Sequence, residues 1–249
     1  MEPAKNKVMQ TTLCLDFGNT RLKGAIFNNG DITKEIALDN DDSSTIENIL
    51  AQYSPAKSIL SSVIDHNPGI ETLLAERTRF HKLSDQSKLP FTTPVGKPQT
   101  IGADRLALVA AAVHFYPNQH NLIIGSGSCI TYNFVNKFHE FLGGSISPGL
   151  EMRFKAMNYY TAKLPLAEAD SNFPLIGYDT KTNLQSGVIL GLAKEMDGII
   201  EEYALRYRNF NVHLTGGNMR FFAPLLKKKI FANPHLIYKG LYAISETNV

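Results

Sequence analysis

Strand-like and helix-like stretches alternate along this chain, and no linker rich in Pro or Ser divides it. Short apolar runs at residues 13–15 and 122–124 each stop at a glycine turn, and Asn28-Asn29-Gly30 is typical of a tight hairpin. Residues 186–208 carry apolar side chains at spacings of three and four, which predicts a long helix with one face in the core. A last strand is predicted at residues 210–214. This alternation favours a mixed α/β fold.

The two apolar runs belong to a short internal similarity with an offset of 109 positions. Residues 13–19 align with residues 122–128, and both segments combine an apolar strand, a glycine turn and a residue with a hydroxyl or amide group. A match of seven residues is by itself weak evidence for duplication, because strand–turn–strand segments are common. Both turns nevertheless have the composition of phosphate sites, with backbone amides and small polar side chains.

Length, charge and cysteine content exclude several classes of protein. The chain has 249 residues, 43% hydrophobic and 19% charged, which suits one large domain or two modest ones. A net charge of +2 argues against a nucleic-acid binder, and the basic run 227–229 is interpreted as the end of a helix. The longest apolar run, 106–113, is too short to cross a bilayer, and the first seven residues lack an apolar signal region. With two cysteines and no disulfide framework, we expect a cytoplasmic protein that binds neither nucleic acid nor membrane.

Several motifs of common enzyme classes are missing from the sequence. No Walker A loop occurs, and the run that begins at Gly125 has Ile130 where a dinucleotide fingerprint needs its third glycine. The seven histidines include no pair spaced for zinc, and no Gly-x-Ser-x-Gly elbow is present. These absences disfavour hydrolase, dehydrogenase and zinc-enzyme functions.

The turn after the first strand is the first candidate site. Gly18 lets the backbone approach a ligand closely, and the turn amides, with the side chains of Asn19 and Thr20, can donate to phosphate oxygens. Lys23 adds positive charge, and Asp16 suits a magnesium ion, bound directly or through water. An ordinary Asx-type hairpin turn explains the same residues equally well.

The segment from Gly102 to Arg105, at the start of an Ala-rich helix, is the second candidate site. Asp104 is either a capping or first-turn acid of that helix or a general base for a substrate hydroxyl. Arg105 is either an exposed side chain or an anchor for a substrate carboxylate. Taken alone, the segment favours the capping interpretation.

Glycine-dense segments in the second half form the third candidate site. Residues 127–131 are rich in hydroxyl groups, residues 143–149 form a second glycine-dense loop, and residues 215–217 add another glycine turn. Plain hairpin turns and a strand-to-helix turn explain each segment separately.

Taken together, these segments resemble the type III pantothenate kinases, a family within the superfamily of actin, the sugar kinases and the heat-shock chaperones. The resemblance covers nearly the whole chain, and its pieces stand in family order and at family spacing. Those pieces are Asp16-x-Gly18-Asn19-Thr20, Gly102-x-Asp104-Arg105, Gly127-Ser128-x-x-Thr131, Gly143-Gly144-x-Ile146-x-Pro148-Gly149, Thr161-x-x-Leu164-Pro165, Thr180 seven residues before Gly187, and Thr215-Gly216-Gly217.

The resemblance implies an enzyme that phosphorylates the primary hydroxyl of pantothenate with ATP, the first step of coenzyme A synthesis. Asp104 would be the catalytic base, and Asp16 would lie near the magnesium ion, in contact with it through water. The implied ATP-binding residues are Asp16, Phe17, Gly18, Asn19, Thr20, Arg21, Leu22, Lys23, Ser128, Thr131, Gly216 and Gly217; the implied pantothenate-binding residues are Val95, Gly102, Ala103, Asp104, Arg105 and Thr180. Thr180 would reach pantothenate across the interface of a homodimer.

Three positions depart from the family pattern. The Asp that precedes the second glycine turn and binds a monovalent cation (K⁺ or NH₄⁺) in the family is Gly125 here, and a second acidic position is Asn133. Since glycine has no side chain to coordinate an ion, we expect a K⁺ requirement that is weakened, lost or rebuilt from backbone carbonyls. Val95 replaces an aromatic residue, which alters one wall of the expected pantothenate pocket.

The resemblance also implies two actin-like (ribonuclease H-like) α/β domains, residues 1–117 and 118–249, each with a mixed five-stranded sheet. The first is expected to hold the ATP phosphates and the start of the pantothenate pocket, and the second the nucleotide and the dimer interface. Gly125 and Val95 leave open a non-catalytic relative that binds nucleotide as an accessory regulator, although Asp16, Asp104 and Arg105 oppose it. Val95 also leaves open a kinase for another small hydroxy acid.

Overall fold

A computed structural model of the chain describes residues 10–94 and 96–249. These residues form two compact units. The first unit comprises residues 10–90, 97–114 and 237–249, and the second comprises residues 91–94, 96 and 115–236. The last helix of the chain therefore belongs to the first unit. The domain boundary expected from the sequence, between residues 117 and 118, places that helix in the second domain.

The helices and strands alternate as the sequence pattern predicts. In chain order they are β1 (Thr11–Phe17), β2 (Leu22–Asn28), β3 (Asp31–Leu38), α1 (Ser43–Tyr53), β4 (Lys57–Ser62), α2 (Gly69–Arg77), β5 (Arg79–Lys82), α3 (Ala103–Phe115), β6 (His120–Ser126), β7 (Cys129–Val135), β8 (Phe141–Pro148), α4 (Leu150–Tyr159), α5 (Thr180–Gln185), α6 (Gly191–Arg206), β9 (Phe210–Thr215), α7 (Met219–Phe222), β10 (Phe231–Ala232) and α8 (Leu236–Asn248). None of the helices in this described part of the chain is long and apolar enough to cross a membrane.

Each unit contains one mixed sheet of five strands. The strand order is β3-β2-β1-β4-β5 in the first unit and β10-β9-β6-β7-β8 in the second. In both sheets the first three strands along the chain form antiparallel pairs with their neighbours in sequence. The fourth strand then pairs in parallel with the first, and the fifth pairs in parallel with the fourth. The two sheets therefore share one topology, and their central strands, β1 and β6, differ by the same 109 positions as the internal similarity. The predicted mixed α/β fold with two such sheets is confirmed.

The hairpin between β2 and β3 confirms the signal at Asn28-Asn29-Gly30. Asn29 and Gly30 have φ angles of 52° and 97°. Two consecutive left-handed residues are what a tight hairpin of the primed type requires, because their twist matches that of the strands. Asn and Gly tolerate that conformation better than other residues.

The long helix confirms the predicted apolar stripe but begins earlier than predicted. The helical run starts at Thr180, passes through a π-helical turn at Ser186–Leu190 and ends at Arg206. Side chains of the predicted stripe are buried in its first half and pack against the core in its second half. The capping box at Asp179, which starts this helix, explains the earlier beginning.

Two predicted local structures are wrong. Residues 143–149 were expected as a glycine-dense loop, but residues 141–148 form the edge strand β8. Gly143 and Gly144 have φ angles of 93° and 154°, and a Cβ atom on Gly144 would overlap the Tyr132 carbonyl oxygen, so these glycines let β8 pair closely with β7. The lysines at 227–229 do not end a helix; they follow a single turn at Ala223–Leu225, and the Lys227 amide donates to Asp197.

Helix α8 packs directly on helix α3 in the first unit. A Cβ atom on Gly240 would overlap the carbonyl oxygen of Ala107, so the two helices approach each other at backbone distance. Nearby, the Tyr242 ring stacks on Phe27 with centroids 4.6 Å apart. The helix that carries Asp104 is thus supported by a segment more than 100 residues further along the chain.

Candidate functional site

The turn that follows β1 opens onto a cavity of about 840 Å³ in the first unit. The Gly18 amide donates to the Arg21 carbonyl oxygen over 3.1 Å and closes the turn. The cavity is lined by Gly18, Asn19, Thr20, Arg21, Leu22, Lys23, Glu35, Ile36, Ala37, Leu38, Asp39, Ile64 and Tyr238. The structure therefore brings residues 18–23 of the predicted phosphate site together. Phe17 differs, because its side chain is fully buried and packs edge-on against His66.

Asp16 is a buried carboxylate beside this cavity. Lys23 Nζ lies 3.2 Å from Asp16 Oδ2, and the Ser61 hydroxyl donates to Asp16 Oδ1 over 3.4 Å. Burial raises the pKa of Asp16, and the Asp104 charge raises it further, while Lys23 and Ser61 oppose the shift. Sequence reasoning missed Ser61, which faces Asp16 because β1 and β4 pair in parallel with these two residues in register.

Asp104 lies in the first turn of α3, where the capping interpretation placed it. Burial raises the pKa of Asp104, whereas hydrogen bonds from the backbone N–H groups of Arg105 and Asp104, and the Arg105 charge, lower it. A Cβ atom on Gly102 would lie 2.5 Å from Asp104 Oδ1, so the carboxylate occupies the space that this glycine leaves. The capping position and a role as base are compatible, because one oxygen can bind the helix start while the carboxylate remains available.

Asp16, Lys23 and Asp104 form one electrostatic group within the first unit. The charge of Asp104 acts on Asp16, and the charge of Lys23 acts on both carboxylates. Asp16 is buried and Asp104 is half-buried, and ionisable groups whose pKa values are shifted by burial and by each other's charge occur preferentially at functional sites. Of the predicted pantothenate-binding residues, Val95 lies outside the described residues.

Tyr238 of α8 is a second residue that sequence reasoning missed. Its ring is buried, lines the cavity, and lies with its centre 5.5 Å from Lys23 Nζ, which is cation–π distance. Burial and the negative charges of Asp16 and Glu35 raise the pKa of Tyr238. No signal near residue 238 indicates this contact, because it depends on how α8 packs.

In the second unit, three segments meet at the turn after β6. The Gly149 amide donates to the Ser128 carbonyl oxygen over 3.1 Å, and the Asn218 amide donates to the Ser126 carbonyl oxygen over 3.0 Å. Gly216 has a φ of 97°, and a Cβ atom there would overlap the Ser126 carbonyl group. The predicted nucleotide residues Ser128 and Gly216 are therefore brought close by a shared hydrogen-bonded turn, with Gly217 next along the chain.

Thr131 and Thr180 occupy different surroundings in this unit. Thr131 is a buried residue of β7 that pairs with Gly125 of β6. Thr180 is the exposed first residue of α5, directly after the helix cap Asp179. The contacts described for the second unit bring Ser128 and Gly216 together, while Thr180 lies on a different element, α5.

The position preceding the second turn contains no charged ligand. Asn133 is fully buried, and its side-chain N–H groups donate to the Ile123 carbonyl oxygen and to Thr131 Oγ1, each over 3.2 Å. Gly125 adds no side chain. Among residues 10–94 and 96–249, no group of three or more His, Cys, Asp or Glu side chains could hold a metal ion.

Two like sheets, each with a glycine turn after its central strand, are the two halves of the actin-like fold. Solved structures share this fold: a Campylobacter jejuni protein described as a Baf family transcriptional activator (TM-score 0.61, 21% identity, 95% of this chain and 98% of that one), and a glucokinase from an Antarctic psychrotroph (TM-score 0.53, 11% identity, 95% and 99%). At these identities the likeness concerns the fold alone.

Sequence comparison assigns the family within that class. The family model for type III pantothenate kinase matches residues 12–202. Type III pantothenate kinases from Christiangramia forsetii (41% identity, 95% of this chain and 98% of the relative) and Phocaeicola vulgatus (38% identity, 95% and 98%) align over almost their full length. The chain belongs to the type III pantothenate kinase family, as the resemblance implied.

Proposed function

We propose that this protein transfers the γ-phosphoryl group of ATP to the primary hydroxyl of pantothenate, the first step of coenzyme A biosynthesis. Full-length similarity to type III pantothenate kinases carries this conclusion. The group formed by Asp16, Lys23 and Asp104 supports it, because it supplies one candidate base and one cation beside a cavity of suitable size.

In the proposed reaction, Asp104 accepts the proton of the pantothenate hydroxyl. The hydroxyl oxygen then forms the bond to the γ-phosphorus, and the bond from that phosphorus to the ADP oxygen breaks. Arg105 anchors the substrate carboxylate, and residues 18–23 hold the ATP phosphates with their backbone amides and with Lys23. Positioning and charge neutralisation account for most of the rate gain in this chemistry.

Mg²⁺ fits the residues around Asp16. A single carboxylate with a neighbouring hydroxyl, Ser61, offers the hard oxygen ligands that this ion prefers, and phosphate and water supply the rest. When bound, Mg²⁺ neutralises charge on the phosphates. The raised pKa of Asp16 supports the assignment, because it shows that burial destabilises the charged carboxylate, and a bound cation would stabilise that charge.

The residues around Gly125 do not fit a monovalent cation held by a carboxylate. Asn133 uses both amide hydrogens on protein oxygens, one of them on Thr131, and it carries no negative charge to hold an ion. We therefore propose that turnover does not require K⁺. Strong, saturable stimulation when K⁺ replaces Na⁺ would contradict this, and the Gly125→Asp/Asn133→Asp double variant should gain such stimulation.

A homodimer is the proposed assembly. The second unit exposes a set of large apolar side chains in the segment that precedes Thr180, and apolar surface of this kind commonly marks an interface. They are Met152, Met157, Tyr159, Tyr160, Leu166, Leu175, Ile176 and Tyr178. In the proposed dimer, Thr180 contacts pantothenate bound to the partner subunit. Light scattering should give twice the 27.6 kDa chain mass, and a monomer at micromolar concentration would contradict it.

Coupled detection of ADP release with ATP, Mg²⁺ and pantothenate tests the function. Turnover should require pantothenate and should collapse in Asp104→Asn, while Asp31→Asn, which changes an exposed carboxylate of the same unit, should match the wild type. Turnover with another small hydroxy acid, but not with pantothenate, would favour the alternative substrate. Nucleotide binding without any turnover would favour the accessory regulator.

A further inference from the structure

Four polar side chains of the second unit form a network outside the residues assigned above, which we call the Glu195 network. Glu195 Oε1 accepts hydrogen bonds from the Tyr132 hydroxyl over 2.9 Å and from Ser147 Oγ over 2.5 Å. Glu195 Oε2 pairs with the guanidinium group of Arg153. The network joins β7, β8, α4 and α6 through one carboxylate.

The Glu195 network is connected to the turn that contains Ser128. Arg153 Nε donates to the Pro148 carbonyl oxygen over 2.9 Å, and the next amide, that of Gly149, donates to the Ser128 carbonyl oxygen over 3.1 Å. Gly149 lies so close that a Cβ atom would overlap the carbonyl oxygens of Gly127 and Ser128. Two hydrogen bonds and one peptide unit therefore separate the guanidinium group from the proposed phosphate turn.

Charge and enclosure distinguish this network from an ordinary surface ion pair. The side chains of Arg153 and Glu195 are 23% and 25% exposed, whereas Lys155 and Glu151, on the same helix, are about 70% exposed and 4.0 Å apart. Burial would raise the pKa of Glu195, but Ser147, Arg153 and Tyr132 outweigh it and keep the carboxylate charged. A charged acceptor with several donors fixes the guanidinium orientation better than an exposed pair does.

We propose that Arg153 is a positioning residue for ATP. Glu195 holds the guanidinium group, which fixes the Pro148 carbonyl group and, through Gly149, the Gly127–Ser128 turn. This inference rests on the proposed function, because it takes the turn to contact the phosphates of the nucleotide. It assigns to α4 and α6 a role in nucleotide affinity that is separate from the packing of the core.

The Arg153→Lys variant tests the connection. Lysine keeps a cation for Glu195 but has no Nε donor for the Pro148 carbonyl group. The loss of one hydrogen bond of ordinary strength predicts a rise of about fivefold in the KM for ATP and in the Kd of a nonhydrolysable ATP analogue. The kcat and the KM for pantothenate should stay within about twofold of wild type. Lys155→Gln, which removes a cation from the same helix, is the matched control and should change neither constant.

A double-mutant cycle with Ser128→Ala separates positioning from general loosening. If Arg153 acts through the turn, Arg153→Lys should weaken analogue binding much less in the Ser128→Ala background. A folded Arg153→Lys protein that binds the analogue like wild type would overturn the inference, as would equal rises in both KM values with a lowered Tm. Wild-type protein that binds no nucleotide would overturn the proposed function together with this inference.

Discussion

Replacing Gly102 with alanine should separate the activity of the protein from its stability. The added Cβ atom would lie 2.5 Å from Asp104 Oδ1, about 0.9 Å short of an ordinary contact, which begins near 3.4 Å. The atom in the way is the end of a short side chain, so the carboxylate rotates aside and the backbone stays in place. The other neighbours of the new Cβ atom, Asp104 Cγ and Val63 Cγ1, lie at 3.7 and 3.8 Å and need not move.

The size of the effect follows from that displacement. A shift of about 1 Å in a reacting group can cost about 100-fold in rate, which corresponds to roughly 2.7 kcal/mol in the activation barrier. The free energy of unfolding should change by no more than about 1 kcal/mol, because the loss of glycine at the helix start is offset by a less flexible unfolded chain. The KM for ATP should change little, since residues 18–23 are not displaced.

The assay compares kcat for pantothenate phosphorylation and the Tm of Gly102→Ala with those of two other variants. Gly198→Ala, whose new Cβ atom meets nothing within 4 Å, is the matched glycine control and should keep full activity. Asp104→Asn gives the residual kcat that is expected when the base is absent. A folded Gly102→Ala protein with wild-type kcat would refute the argument that the position of the Asp104 carboxylate limits the reaction.

Three further predictions concern stability. Burial lowers the pKa of His213 to about 4, so as the pH falls the unfolded chain binds a proton before the folded chain does. The free energy of unfolding should therefore fall by roughly 3 kcal/mol between about pH 6.5 and pH 4. In denaturant titrations, His213→Gln should show a smaller loss over the same pH range. Equal pH slopes for both proteins would contradict this. Asp16→Asn should abolish turnover yet raise the Tm, because burial raises the pKa of Asp16 and its negative charge therefore destabilises the folded protein. A lowered Tm would show instead that the ion pair with Lys23 stabilises the protein by more than burial of the charge destabilises it. Gly240→Ala should destabilise the protein by about 3 kcal/mol, measured against Gly198→Ala, because the new Cβ atom meets the Ala107 backbone; an unchanged Tm would mean that α8 shifts freely.

Local patterns predicted those parts of the fold that local physics determines. The hairpin at Asn29 and Gly30 follows from the left-handed conformation that these two residue types tolerate. The apolar stripe of α6 follows from helical periodicity. In contrast, Gly143 and Gly144 were interpreted as loop residues, although they serve the close pairing of β8 with β7, which no local pattern reveals.

The candidate site also combines residues that a local motif indicates with residues that only the tertiary structure brings there. Residues 18–23 and Asp104 could be proposed from the sequence because their motifs are short and contiguous and resemble those of a known family. Ser61 and Tyr238 could not, since one reaches the site through strand register and the other through the packing of a distant helix. Arg153 lies in an unremarkable helical sequence, and its bond to Pro148 is visible only in three dimensions.

The place of α8 sets an order of events during synthesis. A ribosome adds about 5–20 residues per second, and the N-terminal residues of the chain emerge from it first. The sheet of the first unit is translated early, but α8, which contributes Tyr238 to its cavity and Gly240 to the support of α3, emerges only after every strand of the second unit. The first unit therefore cannot be completed before all strands of the second unit have been made. The nascent chain acquires its full Lys23 environment last, so a stalled or prematurely ended translation product has no finished cavity.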